Sequence, residues 1–502
     1  MLGGGGSRGA FQAGAVATLV GDLGLRPDVI AGTSAGSLNA LVLAHARTPA
    51  EFPETVELML AAWTSLRGTS DMYEPRTWLA HLTPERRRAA MEMAGGRITP
   101  GAILELTRST AAVRRFAGDF RADGDSAYGL APVERRLRAE VDPARVAASH
   151  ARLRVSAVSM ESGRLRWVDG AGVMYDDDAV TPLAGGPVDV VDAVLASSAF
   201  APAFPPRRLA GDRYVDGGFR TVLPVRAARA LGAGPIVAVA CASEGIEWSR
   251  PADPTNVLQV TLRAVNATLA EVARRDVEDL RRGPGLLIDP TADVHDFLEV
   301  DPGRLSIEID LGRMVAAERV EAAGGLDRIL LAWEPGAPGV SDAGAEALAR
   351  TAALTRAVTL LRLDAWRHEE RLLAGRPKNG AAEALRATRI RKWLLRHAVA
   401  ARAARPGLMP AGADAWVSEF EHHAERPVVR GPWAALSERN GGPVPAADAE
   451  SFTPEPFEVF VTETGERWQV VEGRRRAPTA GAPAVGPGVQ VDRVVAELVP
   501  ED

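Results

Sequence analysis

The feature that most constrains this chain is a glycine-flanked serine, Gly32-Thr33-Ser34-Ala35-Gly36. It lies between an apolar run, Val29-Ile30-Ala31, and a helical pattern over residues 38–46. A nucleophile elbow turns so sharply that side chains two positions either side of its serine would clash, and glycines remove them. The turn lifts the serine hydroxyl above the sheet, at a helix N-terminus that favours negative charge. A glycine-rich turn with a helix-capping serine would show the same sequence pattern. The predicted strand before it and the predicted helix after it favour the elbow and an α/β fold.

A second glycine-rich turn opens the chain, Gly3-Gly4-Gly5-Gly6-Ser7-Arg8-Gly9. A dinucleotide loop would need an acidic residue at the end of the next strand, about 20 residues further on. That strand ends in Ala31, Asp28 precedes it, and the lysine of a phosphate loop is missing as well. The alternative is an oxyanion hole, in which main-chain N–H groups converge on a tetrahedral intermediate. Two glycine turns at one sheet edge favour acyl transfer over nucleotide binding.

A third turn, Asp216-Gly217-Gly218, follows Tyr214-Val215 and puts a carboxylate at a strand end. Taken alone it is also a common Asp-Gly turn. Ser34 needs a base, and among the eight histidines only His295 is a fair candidate for a serine–histidine site. A serine–aspartate dyad needs no histidine, and Asp216 is then the base. The residues alone leave both alternatives open.

These three turns, in this order, resemble the patatin-like phospholipase family. That family is recognised by a G-G-G-x-R-G loop, a G-x-S-x-G elbow and a later D-G-G/A, which here are residues 4–9, 32–36 and 216–218. Residues 196–206, ASSAFAPAFPP, are also similar to the family's segment upstream of the aspartate. Family members carry an apolar strand of several residues before the glycine loop, where this chain has Met1-Leu2.

The resemblance implies that Ser34 is the nucleophile and Asp216 the general base of a hydrolase that cleaves acyl esters of phospholipids or related lipids. It implies no metal and no organic cofactor. The residues implied for the oxyanion hole are Gly4, Gly5, Gly6, Ser7 and Arg8, and the further motif glycines are Gly9, Gly32, Gly36, Gly217 and Gly218. The alternatives are a non-enzymatic binding or scaffold protein with this fold, or a His295-dependent esterase.

The fold expected from the resemblance has three layers, with a central, mostly parallel sheet flanked by helices, and a C-terminal helical extension. The pattern changes near Pro335. Residues 1–335 are predicted as the catalytic domain and 336–450 as a helical region. Residues 451–502 are predicted as a β-hairpin with a tail rich in Pro, Gly and Ala.

Charge and composition argue against some classes of binding partner and some cellular locations. The chain has 59 basic and 65 acidic residues, a net charge of −6, which disfavours nucleic acid because phosphate neutralisation needs a basic surface. The single cysteine, Cys241, follows an apolar run and is predicted to be a small buried residue at a strand end. No apolar run approaches the roughly 18 residues of a membrane span, and no signal peptide precedes the glycines. A cytoplasmic location is expected.

A basic helical pattern over residues 380–405 offers a peripheral membrane contact. Its cations are Arg386, Arg389, Arg391, Lys392 and Arg396, and its apolar residues are Ile390, Trp393, Leu394 and Leu395. Such a segment can hold an enzyme on an anionic bilayer. The favoured alternative is a helix whose apolar face packs on the protein, because the net charge is negative and the apolar residues suffice for one packed face.

Overall fold

The computed structural model describes four long parts of the chain, residues 1–80, 124–242, 257–331 and 342–373. Shorter pieces follow at residues 387, 390–391, 393–395, 398–399, 416, 459–461, 467–472, 489–491 and 494–499. Strands β1 to β10 are Val29–Gly32, Glu74–Pro75, Tyr128–Gly129, Arg152–Ser159, Leu165–Val168, Met174–Tyr175, Arg207–Leu209, Asp212–Asp216, Ile236–Val239 and Gly285–Ile288. Helices α1 to α12 are Gly9–Val16, Ala35–Leu43, Phe52–Thr64, Thr77–Ala80, Ala131–Glu140, Pro143–Ala147, Val190–Ser197, Val225–Ala230, Val257–Arg281, Pro302–Ala322, Leu326–Leu331 and Asp342–Leu373. The α/β class is confirmed.

The main sheet is mostly antiparallel, so the prediction of a mostly parallel sheet is wrong. Strand β4 pairs antiparallel with β5 and with β8, and β5–β6 and β7–β8 are antiparallel too. Only β1–β4 and β9–β10 are parallel strand pairs in the described part of the sheet. Short connections explain the difference: Glu161-Ser162-Gly163 between β4 and β5, and Ala210-Gly211 between β7 and β8. Strands joined by such short turns can pair only antiparallel, whereas a parallel pair needs a long crossover.

Strand β4 brings the ends of β1 and β8 together. Gly32, the last residue of β1, pairs with Val155, and Asp216, the last residue of β8, pairs with Ala157. Both strands lie on the same side of β4, since β5 pairs with Val155 and Ala157 on the other. Strand β1 runs parallel to β4 and β8 antiparallel, so their carboxyl ends meet head to head. The two pairing positions are two residues apart along β4, about 6.6 Å at the rise of a strand.

The first residues extend the sheet between β1 and β9. Leu2 forms parallel bridges to Gly32 and to Val239. Its N–H donates to Ala31 O at 2.9 Å, and the N–H of Gly3 donates to Val239 O at 2.9 Å. The glycine loop therefore leaves the sheet next to the end of β1.

Helices α1 and α10 cross in very close contact. A Cβ on Gly14 of α1 would lie 1.8 Å from Ile309 O, and one on Gly312 of α10 would lie 2.0 Å from Phe11 O. Only glycine allows backbones to approach this closely. Asp301 caps α10 by accepting from Arg304 N at 2.9 Å. Because α1 begins at Gly9, directly after the glycine loop, α10 is fixed against the element that follows that loop.

Helix α12 packs on α10 through an apolar face. Val358, Leu361 and Ala365 are buried with Met314 of α10, and Leu354 packs against them. Arg362 Nη1 contacts Asp310 Oδ2 at 2.8 Å. This helix, Asp342–Leu373, lies within the region predicted to be helical, residues 336–450.

The basic stretch contributes its apolar side chains to the same cluster. Those buried there are Ile390, Trp393, Leu394 and Leu395. Arg391 Nε pairs with the buried Asp364 Oδ2 at 2.7 Å. The other cations of that prediction, Arg386, Arg389, Lys392 and Arg396, lie outside the described residues. The described part of the stretch thus packs against the protein.

A second sheet forms near the end of the chain. Strands β11 to β14 are Val459–Val461, Arg467–Glu472, Val489–Val491 and Val494–Val499, in the order β11-β12-β14-β13. Strands β11 and β12 pair antiparallel, in the region where a β-hairpin was predicted. Strands β13 and β14 were not predicted. Residues 477–488, in the predicted tail rich in Pro, Gly and Ala, lie outside the described residues.

Candidate active site

Ser34 adopts a backbone conformation that is rare for a residue with a side chain. Its φ is 54° and its ψ −126°, at the junction of β1 and α2. Such a conformation costs about 1–3 kcal/mol and persists only where the surroundings enforce it. The flanking glycines are part of that enforcement: a Cβ on Gly32 would lie 2.4 Å from Gly36 O, and one on Gly36 would lie 2.2 Å from Leu2 O. The turn is therefore as tight as the G-x-S-x-G spacing predicts.

A segment after helix α7 connects the serine turn to the aspartate strand. The N–H of Ser34 donates to Ser197 Oγ at 2.9 Å, and Ser197 is fully buried. Two residues on, Ala199 O accepts from the N–H of Asp216 at 3.1 Å. Asp189 caps this helix, accepting from Asp192 N at 2.9 Å. One short segment thus contacts the main chain of both Ser34 and Asp216.

Ser156 of β4 lies between the same two turns. Its Oγ is 2.8 Å from Thr33 Oγ1, next to the serine. On the other side, a Cβ on Gly217 would lie 2.0 Å from Ser156 Oγ. Gly217 must therefore be a glycine, because any side chain there would displace Ser156.

The carboxyl group of Asp216 is buried, with the residue 2% exposed. Its Oδ1 accepts from the N–H of Gly218 at 2.7 Å. Burial raises the pKa of Asp216 to about 7, although the hydrogen bond from Gly218 and a side-chain hydrogen-bond interaction with Ser34 both lower it. Desolvation is the dominant cause, since it disfavours the charged form. The pKa of this carboxyl group therefore lies near neutral pH, and the Ser34 side chain is among the groups that lower it.

The glycine loop lies against Ser34. A Cβ on Gly4 would lie 3.3 Å from Ser34 Cβ, one on Gly5 2.1 Å from Cys241 Cβ, and one on Gly6, whose φ is +61°, 2.1 Å from Phe297 O. The loop is thus confined on both sides and cannot carry side chains at Gly5 or Gly6 without moving.

The main-chain N–H groups of the loop differ in availability. Gly4 N–H donates to Val222 O at 2.9 Å, and Ser7 N–H donates to Phe297 O at 2.8 Å. Both are therefore occupied, although the family resemblance implied Gly4 and Ser7 for the oxyanion hole together with Gly5, Gly6 and Arg8. In the described part of the chain, the N–H groups of Gly5 and Gly6 have no main-chain acceptor.

A buried polar network lies beneath the loop, and the sequence analysis missed it. Gln12 Nε2 donates to Gly3 O at 2.7 Å and to Val239 O at 3.1 Å. Its Oε1 accepts from Asn39 Nδ2 at 3.0 Å, and Asn39 Oδ1 accepts from Trp63 Nε1 at 2.8 Å. Polar residues within otherwise apolar helices were the available signal, because a buried amide needs partners.

His295 does not contact Ser34; its ring nitrogens have other partners. Nε2 lies 2.5 Å from Glu308 Oε2 of α10. Nδ1 lies 3.0 Å from Asp296 O and 3.3 Å from Ser7 Oγ. These contacts favour Asp216 over His295 as the group that acts on Ser34.

Cys241 is confirmed as a buried residue at a strand end, 2% exposed and with a free thiol. Its Sγ lies 3.6 Å from Gly3 O, and burial raises its thiol pKa. No group of three or more His, Cys, Asp or Glu side chains within the described ranges is arranged to hold a metal ion. None of the helices of those ranges combines the length and apolar character that crossing a membrane requires.

Comparison with known proteins connects this geometry to a family. Residues 1–229 match the family model for Patatin-like phospholipase. This part of the chain is a patatin-like domain. The solved structure titled "Crystal structure of VipD from Legionella pneumophila" shares 14% identity, over 90% of this chain and 93% of that chain, with a TM-score of 0.28. The comparison with curated proteins finds no match.

The patatin-like domain, by that match, contains the serine turn, the aspartate turn and the glycine loop. The segment with His295 and helix α10 with Glu308 come later in the chain. Contacts to the glycine loop are therefore made from outside the matched residues, through Ser7 N–H to Phe297 O and Arg8 Nε to His295 O.

Proposed function

We propose that this protein is a serine acyl hydrolase that cleaves acyl ester bonds of phospholipids or related lipids. Ser34 Oγ is the nucleophile and Asp216 the general base. The observation that carries this assignment is geometric: the buried Asp216 ends β8 where that strand meets the end of β1, next to Ser34, and burial raises the pKa of Asp216 to about 7. A general base works best when its pKa lies near the operating pH, and an unperturbed aspartate is too weak a base for that.

In the proposed reaction, ionised Asp216 takes the proton of Ser34 as Oγ attacks the acyl carbonyl carbon. The carbonyl oxygen becomes an oxyanion, for which Gly5 and Gly6 offer main-chain N–H groups. The intermediate collapses, the bond to the leaving alcohol breaks, and that alcohol takes the proton from Asp216. Water, deprotonated by Asp216, then attacks the acyl-enzyme. Its collapse releases the fatty acid and returns the proton to Ser34.

An aromatic wall beside the site supports an apolar acyl group. Phe200 stacks on Phe219 with ring centroids 5.5 Å apart, and meets Phe297 edge-on at 5.4 Å. All three are only partly buried. They belong to the three segments that hold Ser34, Asp216 and the glycine loop. Partly exposed aromatic surface in such a place suits an alkyl chain better than a polar substrate.

Labelling with a fluorophosphonate probe, followed by product analysis with mixed lipids, tests the proposal. Wild type should label and release fatty acids, and Ser34→Ala should do neither. Asp216→Asn should lose most labelling and turnover while remaining folded. Ser65→Ala, which alters an exposed serine at the end of α3, is the control and should label like wild type. A wild-type protein that neither labels nor hydrolyses any ester would instead support a scaffold role.

A further inference from the structure

The glycine loop is held by one later segment, Asp293-Val294-His295-Asp296-Phe297. Three donors of the loop bind carbonyl groups of this segment. Ser7 N–H donates to Phe297 O at 2.8 Å. Ser7 Oγ lies 3.0 Å from Phe297 O and 3.1 Å from Asp296 O. Arg8 Nε donates to His295 O at 3.1 Å. The position of the loop therefore depends on the position of this segment.

The segment is in turn anchored by a buried ion pair. His295 and Glu308 have side chains that are 0% and 2% exposed, with Nε2 and Oε2 2.5 Å apart. His295 Nδ1 lies 3.0 Å from Asp296 O. Because both ring nitrogens face acceptors, the arrangement needs both to carry protons, as in the imidazolium form. Burial alone would lower the pKa of His295, but the adjacent Glu308 carboxylate raises it.

Glu308 lies in a helix that packs closely against α1. It belongs to α10, and the next residue, Ile309, is the one whose carbonyl oxygen leaves no space for a side chain at Gly14 of α1. Helix α1 begins where the glycine loop ends. The loop is thus fixed at its end by α1 and from the side by the 293–297 segment, and both are fixed to α10.

We infer that His295 and Glu308 are positioning residues for the glycine loop, and that their ion pair holds the Gly5 and Gly6 N–H groups in line with the developing oxyanion. This inference rests on the proposed hydrolase function. It assigns His295 a role without contact to the reacting atoms, in place of the role of base for Ser34. Neither residue lies in the part of the chain that matches the family model.

The His295–Glu308 ion pair depends on pH, because it requires His295 to be protonated. Its pKa is raised in the folded protein, so the pair is intact at low pH and is lost as the pH rises through that folded value. In the described part of the chain, the charged or titratable groups around the pair are Arg8, Asp293, Asp296 and Cys241. Arg8 lowers the pKa of His295 and is itself paired with Asp293 Oδ1 at 3.5 Å. Turnover should therefore decline on the alkaline side.

The test uses His295→Gln and Glu308→Gln, with activity expressed per fluorophosphonate-titrated site. Each should lower kcat about 10²-fold with little change in KM, as a misplacement of about 1 Å does. The double variant should be no worse than either single one, because the two residues act as a unit. Affinity for a trifluoromethyl ketone, which forms a tetrahedral oxyanion adduct, should fall in parallel with kcat. The alkaline decline of wild type should be absent in His295→Gln.

The matched control is His45→Gln. His45 is also buried, with Nδ1 near Leu41 O and Nε2 accepting from Asp142 N at 3.2 Å. That variant should lose stability but keep kcat, ketone affinity and the pH profile. Unchanged kcat and ketone affinity per titrated site in His295→Gln or Glu308→Gln would overturn the inference. If neither variant folds, wild type decides: ketone affinity that does not fall at alkaline pH overturns it. Failure of the proposed function is distinct, since wild type would then not label at Ser34.

Discussion

The main-chain N–H of Ser34 donates a 2.9 Å hydrogen bond to the side chain of Ser197, a fully buried residue at the end of helix α7. This bond fixes a backbone with a φ of 54°. Because Ala199 O accepts from Asp216 N in the same segment, Ser197 couples the conformation of the serine turn to the position of the carboxylate.

Ser197→Ala should therefore reduce kcat, because it removes the acceptor from a strained turn. Leaving a buried N–H without a partner costs about 1–3 kcal/mol, so the free energy of unfolding should fall by a similar amount. We expect kcat to fall at least tenfold with a smaller change in KM. Urea denaturation and steady-state kinetics measure the two effects.

The neighbouring serine is the control. Ser198 Oγ is buried and has no hydrogen-bond partner among the described residues. Ser198→Ala should change the free energy of unfolding by no more than about 0.5 kcal/mol. Its kcat should equal that of wild type. Equal losses in Ser197→Ala and Ser198→Ala would contradict the role given to the Ser34–Ser197 bond.

The activity of wild type should rise as Asp216 ionises. With a pKa of about 7, the acidic limb of kcat/KM for a soluble short-chain ester should have its half-maximum near pH 7. Only the carboxylate can accept the proton of Ser34. The measurement is a pH series from acid to neutral; a midpoint near pH 4, as for an unperturbed aspartate, would refute the assignment.

Asp216→Asn should stabilise the protein at neutral and alkaline pH. A group whose pKa rises from 3.8 to about 7 on folding favours the folded state below the lower value and loses that contribution as the pH rises to the upper one. Wild type loses at most about 4 kcal/mol in this range, at roughly 1.36 kcal/mol per pKa unit. Asparagine does not titrate, so the difference in unfolding free energy should grow between pH 4 and pH 8. A difference that shrinks with rising pH would mean that Asp216 is stabilised as the carboxylate.

Gly5→Ala and Gly6→Ala should reduce turnover by about 10²–10³, the loss typical of an oxyanion donor. The added Cβ would meet Cys241 Cβ in the first variant and Phe297 O in the second, so the loop must move away from Ser34. Gly234→Ala adds a Cβ with nothing within 4 Å and should behave as wild type. Turnover that survives both loop substitutions would show that these N–H groups do not serve the reaction.

Arg391→Gln should destabilise the protein rather than detach it from membranes. It removes the cation next to Asp364 Oδ2, in a pair whose side chains are 13% and 2% exposed, and leaving such a buried charge without its partner costs about 3–5 kcal/mol. Arg275→Gln alters an exposed pair with Glu271 and should cost under about 0.5 kcal/mol. Sedimentation with anionic vesicles at low and high salt tests the alternative, in which Arg391 contributes to membrane binding. Loss of salt-sensitive binding in Arg391→Gln, with stability unchanged, would restore the membrane role.

The elements of this fold were accessible from the sequence because each depends on its own residues. Helix Asp342–Leu373, within the predicted helical region, and the β11–β12 pair follow from local turns and apolar periodicity. The tight turn at Ser34 follows from Gly32 and Gly36, since no other residue fits there. The prediction of sheet direction was wrong because it followed the family resemblance. The short β4–β5 turn allows only antiparallel pairing.

What the sequence alone determined is the set of turns, the glycines that permit them, and the side chains that three motifs present. It could not determine that the serine turn and the aspartate turn lie next to each other. That depends on β4 pairing with both β1 and β8, so that the ends of these two strands face each other. Nor could it determine that Ser197 accepts from Ser34, that Gly4 is already bonded to Val222, or that His295 pairs with Glu308. These contacts join residues far apart in the chain. They arise only when packing excludes water, so that each buried polar group must find its partners within the protein.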